Sequence, residues 1–189
     1  MTNVYFVRHA ESENRVHDNL LRPLTEKGAD DCKLVTCFLR DKGISRMYSS
    51  PFKRAMDTLG GLSALLGIPV VPLSAFAERK MSNDWVDDYH AYAQSQWRDF
   101  SFKLPGGESL REVQTRNIEA LLDILRRHPG ESIVIGSHGT ALSTVVNHYD
   151  PHFGYERFLE IIDLMPWLVH LSFDGTRCAG IRSINLFEQ

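Results

Sequence analysis

The chain has 189 residues, a formal net charge of −3 and a hydrophobic fraction of 43%. These values fit one domain of ordinary size with a sizeable core. No block of basic residues indicates nucleic-acid binding, and no apolar run is long enough to cross a membrane. We therefore expect neither nucleic acid nor a membrane as a partner. Residues 1–3 lead directly into an apolar segment, so we expect no signal peptide.

The three cysteines do not form a disulfide framework. Cys32 and Cys37 are five residues apart on a predicted helix and point in different directions, and Cys178 is far from both in sequence. We expect all three to be reduced and structural, which favours a cytoplasmic location.

The first apolar segment carries the most distinctive chemistry. Residues 4–7 are β-branched or aromatic, and this composition predicts a strand that is buried on both faces. Arg8 and His9 follow at once, at the carboxyl end where open α/β sheets place their ligands. Arginine binds oxyanions bidentately, and a neutral imidazole is a competent nucleophile. The pair predicts a histidine aimed at a phosphoryl group, although an Arg-His pair at a strand end can equally be surface decoration.

The next elements alternate between strand and helix. Thr25 is a good N-cap for a helix whose buried positions recur at helical spacing. A strand at 44–49 follows, then a helix for which Ser50 and Pro51 predict the N-cap and first position. A third strand is predicted at 70–73. Two strand-helix-strand units favour a parallel sheet with helices on its faces. Arg54 lies near the start of the second helix, where anions bind readily, although a surface arginine would also suit that position.

Residues 74–107 interrupt this alternation. Seven aromatic residues lie there, namely Phe76, Trp85, Tyr89, Tyr92, Trp97, Phe100 and Phe102. A long segment between core elements often forms a lid over a site, and we expect most of these aromatics to form a small core of the segment itself. Glu78 follows the third strand and brings a carboxyl group to the same sheet edge as His9.

The pattern resumes after Gly107. Ser109 and Glu112 have capping-box spacing at the start of a long amphipathic helix that ends near His128. A buried strand at 132–137 runs into His138, and a helix follows from about residue 141. Two further strands are predicted at 167–173 and 181–186.

Taken together, these segments resemble the histidine phosphatase superfamily, also called phosphoglycerate mutase-like. The resemblance rests on motifs in the family's order between residues 4 and 140. They are Val7-Arg8-His9-Ala10-Glu11-Ser12, Leu24-Thr25 with Gly28, Ser49-Ser50-Pro51 with Arg54, Ala55 and Thr58, then Glu78, Gly106-Gly107-Glu108-Ser109 and Ser137-His138-Gly139. The family fold implies a three-layer α/β/α sandwich with a mostly parallel central sheet, here with a lid-like insertion at about residues 74–107 in a single domain of residues 1–189.

The resemblance also implies a two-step phosphoryl transfer that needs no metal and no cofactor. His9 would attack phosphorus and become phosphohistidine, while Arg8, Arg54 and His138 would bind the phosphoryl oxygens and stabilise their charge. Glu78 would protonate the leaving oxygen and then deprotonate the attacking water. Ala10 replaces the family's usual glycine.

The loop after the first strand offers further candidates. Asn14, Arg15, His17 and Arg22 could face a substrate. Asn14 is a candidate phosphate ligand, but it lies one residue closer to His9 than the asparagine often seen in the family's first loop.

We expect a phosphomonoester hydrolase whose partner is a small phosphorylated metabolite. A phosphoglycerate mutase-type phosphotransferase is the alternative within enzymes, but family mutases use extra chain to close the site against water, and this chain is shorter. A non-catalytic phospho-ligand-binding protein is the other alternative. Loss of His9 or Glu78 would have favoured it, but both residues are present. The sequence leaves the natural substrate and the oligomeric state open.

Overall fold

The computed structural model describes residues 1–83 and 86–188, and six strands form its central sheet. The strands are β1 (Thr2–Arg8), β2 (Ile44–Ser49), β3 (Val70–Pro72), β4 (Ser132–Ser137), β5 (Trp167–Asp174) and β6 (Arg177–Ile184). Their order across the sheet is β3-β2-β4-β1-β5-β6. The first four pair in parallel, whereas β5 and β6 are antiparallel to their neighbours. The predicted α/β fold with a mostly parallel sheet is confirmed.

Helices cover both faces of this sheet. They are α1 (Glu26–Leu39), α2 (Lys53–Leu66), α3 (Tyr89–Arg98), α4 (Leu110–Arg127), α5 (Gly139–Tyr149) and α6 (Tyr155–Glu160). Tyr5 and Val7 of β1 pack with α1 and α2, while Val4 and Phe6 pack on the opposite face with α4 and α5. This alternation follows from the two-residue period of a strand. In the described residues, no helix is long and apolar enough to span a membrane.

Several local predictions are confirmed at the helix starts. The Thr25 hydroxyl accepts a hydrogen bond from the Gly28 N–H, and Ser109 and Glu112 form a reciprocal capping box. The three cysteines are unpaired.

Other predicted boundaries were wrong. The helix after β2 begins at Lys53 with Phe52 as its N-cap. The Ser50 hydroxyl does not cap this helix, because it accepts the Phe52 N–H in a turn before the helix and contacts His138. The helix after β4 begins at Gly139 rather than near residue 141, and the last strand is Arg177–Ile184 rather than 181–186.

The segment between β3 and α4 is anchored to the main core. Its first part is a 3-10 helix at Ser74–Phe76, and its only α-helix in the described residues is α3. Phe76 is fully buried against the sheet, and the ring of Trp97 lies 5.5 Å from Phe158 and 6.1 Å from Phe153. The expectation that most of its aromatics form a separate small core is therefore wrong for Phe76, Tyr89 and Trp97, which all pack against the main cluster. Trp85 lies outside the described residues, and the lid function of the segment stays a prediction.

Candidate active site

Four of the predicted site residues meet at the carboxyl edge of three neighbouring parallel strands: Arg8, His9, Arg54 and His138. Arg8 ends β1 and is paired in register with Ser137, the last residue of β4, so His9 and His138 leave the sheet side by side. Their ring centroids are 5.2 Å apart. Arg54, in the first turn of the helix that follows β2, reaches the same point. The expectation that strand ends would bring these side chains together is met by the geometry.

The hydrogen bonds of His9 define its reactive nitrogen. Nδ1 lies 2.6 Å from the Ala10 carbonyl oxygen, and because a carbonyl can only accept, Nδ1 carries the proton and Nε2 keeps its lone pair. Burial, helped by the charge of Arg54, holds the pKa of His9 well below its usual value. His9 is therefore a neutral imidazole with Nε2 available as a nucleophile.

Arg54 is a buried cation beside that nitrogen. Its Nε donates to Nε2 of His9 at 3.1 Å, and its Nη1 donates to the Asn19 carbonyl at 2.8 Å. Burial lowers the pKa of Arg54 to about 10, against the opposing effect of the Glu78 charge. The guanidinium is thus still protonated at neutral pH, and it can stabilise negative charge on a phosphoryl group at His9.

The Arg8 guanidinium donates hydrogen bonds to the segment that follows α6. Its Nη1 donates to the carbonyls of Ile161 at 2.7 Å and Leu164 at 3.3 Å, and its buried Nε has no hydrogen-bond partner in the described part of the chain. A Cβ on Gly139 would lie 3.2 Å from this guanidinium. The glycine lets the chain after His138 pass close to Arg8, and the Nε–H is left as a donor for a bound anion.

His138 is fully buried between Phe52 and His9, and its Nε2 lies 2.7 Å from the Ser50 hydroxyl. Burial first, then the proximity of His9, holds the pKa of His138 well below its usual value. Its Nδ1 has no partner among the described residues. The neutral tautomer in which Nε2 accepts the Ser50 proton leaves Nδ1–H as a donor for a phosphoryl oxygen.

Glu78 reaches the site from the other side, at the start of α5. One carboxylate oxygen accepts the N–H of Thr140 at 3.0 Å, and the other accepts those of Ala141 at 3.1 Å and Arg79 at 2.7 Å. A carboxylate is well placed at a helix N-terminus. These bonds orient the group from the same helix that follows His138. Burial lowers the pKa of Arg8 and of Arg54, and the negative charge of Glu78 partly opposes both shifts.

Of the predicted residues in the loop after β1, Arg22 lies near the site and Asn14 does not contact it in the described residues. Asn14 is exposed in a turn, and no contact in the described ranges places it beside His9, so its role as a phosphate ligand stays a prediction. Burial is the main cause of the lowered pKa of His9 and of Arg54, and the nearby charge of Arg22 adds to both shifts. Arg22 Nε donates to the Val16 carbonyl at 2.7 Å. Sequence reasoning named Arg22 only as one of four loop residues that could face a substrate.

Thr58 of α2 contacts Ala10, the residue that follows the proposed nucleophile. Its hydroxyl accepts the Ala10 N–H at 3.0 Å and donates to the Arg54 carbonyl at 2.7 Å. In the described residues only glycines have positive φ, so Ala10 fits in place of glycine without backbone strain. Thr58 was predicted as a motif residue, but its link between Ala10 and Arg54 depends on a contact between distant segments and has no local sequence signal.

No group of three or more His, Cys, Asp or Glu side chains that could hold a metal ion occurs in residues 1–83 and 86–188. A neutral strand-end histidine lies here with two buried arginines and a second buried histidine, and this set of side chains suits phosphoryl transfer. The model of the histidine phosphatase superfamily (branch 1) matches residues 4–179. The chain belongs to this superfamily, which confirms the resemblance seen in the sequence.

The names of similar proteins and solved structures include both mutases and phosphatases. The chain is 28% identical to a probable phosphoglycerate mutase GpmB of Serratia proteamaculans, over 78% of this chain and 74% of the relative. The corresponding Yersinia pestis protein is 29% identical with the same coverage.

Among solved structures, YhfR of Bacillus stearothermophilus superposes with a TM-score of 0.75 at 23% identity, covering 94% of each chain. The phosphoserine phosphatase of Entamoeba histolytica, in complex with 3-phosphoglyceric acid, has a TM-score of 0.76 at 18% identity over 98% of this chain and 99% of its own. A mycobacterial glucosyl-3-phosphoglycerate phosphatase in complex with inorganic phosphate has a TM-score of 0.74 at 18% identity, over 96% of this chain and 95% of its own. At these identities the likeness shows the shared fold.

Proposed function

We propose that this protein is a phosphomonoester hydrolase that works through a phosphohistidine on His9. The observation that carries the proposal is the state of Nε2, which keeps its lone pair. Nδ1 donates to the Ala10 carbonyl, burial keeps the ring neutral, and the buried Arg54 donates a hydrogen bond to Nε2. Because His9 is only 7% exposed, the site suits a phosphoryl group at the end of a small molecule.

In the first step, the Nε2 lone pair attacks phosphorus and the bond from phosphorus to the ester oxygen breaks. The form of Glu78 that carries a proton donates it to the departing oxygen and becomes a carboxylate. Arg54 exchanges its contact with Nε2 for a phosphoryl oxygen, and the Nε–H of Arg8 and the Nδ1–H of His138 bind the others. These fixed donors stabilise charge on the equatorial oxygens without reorganisation.

In the second step, water attacks the phosphohistidine. Glu78, now ionised, takes the water proton, the bond between phosphorus and Nε2 breaks, and its electron pair returns to the ring. Inorganic phosphate leaves, and His9 and Glu78 are back in their starting protonation states.

A mutase would use the same first step and differ in the acceptor, and the names of the GpmB relatives favour that alternative. Exclusion of water is what a mutase requires. Here residues 17–21 are exposed, and this stretch includes Asn19, whose carbonyl contacts Arg54. Solvent next to the phosphate ligands supports hydrolysis.

The test is a panel of phosphorylated metabolites assayed for release of inorganic phosphate, with the His9→Ala protein as background. We expect His9-dependent release from at least one small phosphomonoester. Phosphate release no greater than that of His9→Ala across the panel would reject the hydrolase. Interconversion of phosphoglycerate isomers without phosphate release would replace it with the mutase.

A further inference from the structure

Arg116 of α4 contacts the segment that carries Glu78 but lies outside every motif of the sequence. Its Nη1 donates to the carbonyl oxygens of Ala75 at 2.6 Å and Ala77 at 2.9 Å, and its Nη2 lies 3.5 Å from the carbonyl of Glu78 itself. The guanidinium therefore gathers the backbone immediately before the proposed acid. It touches main-chain oxygens, whereas the Glu78 carboxylate points to the start of α5.

Glu108 completes this arrangement on the other side of Glu78. Its carboxylate accepts Arg116 Nε at 2.9 Å and Nη2 at 3.1 Å, the fork geometry that guanidinium and carboxylate groups favour. One carboxylate oxygen also accepts the Lys80 N–H at 2.9 Å, and the Glu108 N–H donates to the Lys80 carbonyl at 2.8 Å. The chain is thus fixed both before and after Glu78.

We infer that Arg116 and Glu108 form a clamp that positions the Glu78 carboxyl group for proton transfer to the leaving oxygen. The inference rests on the proposed function, because it assigns a purpose to the acid of that reaction. Small displacements of a catalytic group are costly, since a shift of about 1 Å can cost about 10²-fold in rate. Arg116 and Glu108 are therefore positioning residues.

Lysine is the informative replacement for Arg116. It keeps the charge but cannot bind two carbonyls and a carboxylate through a planar fork, so Arg116→Lys should misplace Glu78. A misplaced acid slows only those substrates that need a proton on the leaving oxygen. Arg111→Lys is the matched control, because Arg111 is an exposed arginine of the same helix whose guanidinium contacts only the Ser101 hydroxyl among the described residues, at 3.4 Å.

The experiment is single-turnover cleavage with enzyme in excess, following alcohol release from glycerol phosphate and nitrophenol release from nitrophenyl phosphate. We expect Arg116→Lys to slow glycerol phosphate by about tenfold more than nitrophenyl phosphate, as partial loss of general acid catalysis predicts. Arg111→Lys should leave both rates unchanged. In a Glu78→Gln background, Arg116→Lys should add little further selectivity, because coupled residues are not additive.

Equal slowing of both substrates by Arg116→Lys would overturn the clamp, and so would full additivity with Glu78→Gln. If Arg116→Lys does not fold, Glu108→Gln tests the same claim from the other partner, with the same selectivity expected. Failure of the wild-type protein on every ester of the metabolite panel would reject the proposed function together with the clamp, whereas normal wild-type cleavage with unselective slowing rejects the clamp alone.

Discussion

Nε of Arg54 donates a hydrogen bond to Nε2 of His9 at 3.1 Å, and both side chains are buried. The lone pair of the proposed nucleophile thus accepts a hydrogen bond from the cation that would bind the phosphoryl group it attacks. A phosphoryl oxygen is a stronger partner for a guanidinium than an imidazole nitrogen. In the proposed mechanism, substrate binding would therefore free the lone pair as phosphorus arrives.

Arg54→Ala should slow phosphoryl transfer to His9 by about 10²-fold or more, because removal of one donor to a developing charge typically has that effect. Arg54→Lys should recover only part of the loss, since lysine keeps the charge without the fork. Single-turnover rates on nitrophenyl phosphate measure this directly, and circular dichroism verifies the fold. A wild-type rate in Arg54→Ala would remove Arg54 from the site.

Glu78→Gln should slow cleavage of an alkyl phosphate far more than that of nitrophenyl phosphate. An alkoxide needs its proton as the bond breaks, whereas nitrophenolate leaves without one, and general acid catalysis is typically worth about 10²–10⁴-fold. Single-turnover alcohol release reports the first step alone, so a role of Glu78 in dephosphorylation does not interfere.

Equal slowing of the two substrates by Glu78→Gln would make Glu78 a structural or binding residue. The acid would then be sought among Asp84, Asp87 and Asp88. Asp88 caps α3 and Asp87 is exposed, while Asp84 lies outside the described residues.

Gly28→Ala should destabilise the protein and slow the proposed phosphoryl transfer. A Cβ at Gly28 would lie 2.1 Å from the Glu11 carbonyl oxygen, so α1 must move away from the loop that follows His9, at a cost of about 1–3 kcal/mol for overpacking. Gly60→Ala is the control, because a Cβ there meets nothing within 4 Å on the exposed side of α2. Helix propensity predicts that Gly60→Ala is neutral or stabilising. Urea unfolding separates the two, and equal stabilities would contradict the close approach.

The free energy of unfolding should fall as the pH drops below about 6.5, the usual pKa of histidine in an unfolded chain. Burial holds the pKa of His9 and of His138 well below that value in the folded protein, so in this window the unfolded chain binds more protons. The stability these residues contribute is present above pH 6.5 and is lost toward pH 5.

Urea titrations from pH 8 to pH 5 test this prediction. His138→Gln should show a shallower pH dependence than the wild type, because one buried neutral histidine has been removed. His152→Gln, at an exposed position, should follow the wild type. An unchanged slope in His138→Gln would contradict the assignment of His138 as a buried neutral ring.

The proposed catalytic histidines could be predicted from the sequence because the carboxyl ends of neighbouring parallel strands lie at the same edge of the sheet. His9 and His138 each follow an apolar run, and parallel register places Arg8 opposite Ser137. Helix caps were also visible, since Thr25 and Ser109 act on residues three positions away. These are local patterns with fixed spacing.

The supporting contacts could not be found in this way. Ser50 and His138 are 88 residues apart, and the Ser50-Pro51 pair gave a stronger local signal for a helix cap than for a contact with a histidine. Arg116 reaches the carbonyls before Glu78 across 39 to 41 residues, and helical periodicity describes only its position on α4. Such contacts depend on how finished elements pack, and no local sequence pattern specifies them.

The most direct test of the central claim is capture of the phosphoenzyme. The protein is mixed with a ³²P-labelled substrate found in the metabolite panel, stopped in alkaline detergent and separated from small molecules, with His9→Ala treated in parallel. A phosphorus–nitrogen bond survives base and is lost in acid. We predict a base-stable, acid-labile label on His9 in the wild type and none in His9→Ala. An acid-stable label, or a His9→Ala protein that keeps a tenth of wild-type turnover, would contradict His9 as the nucleophile.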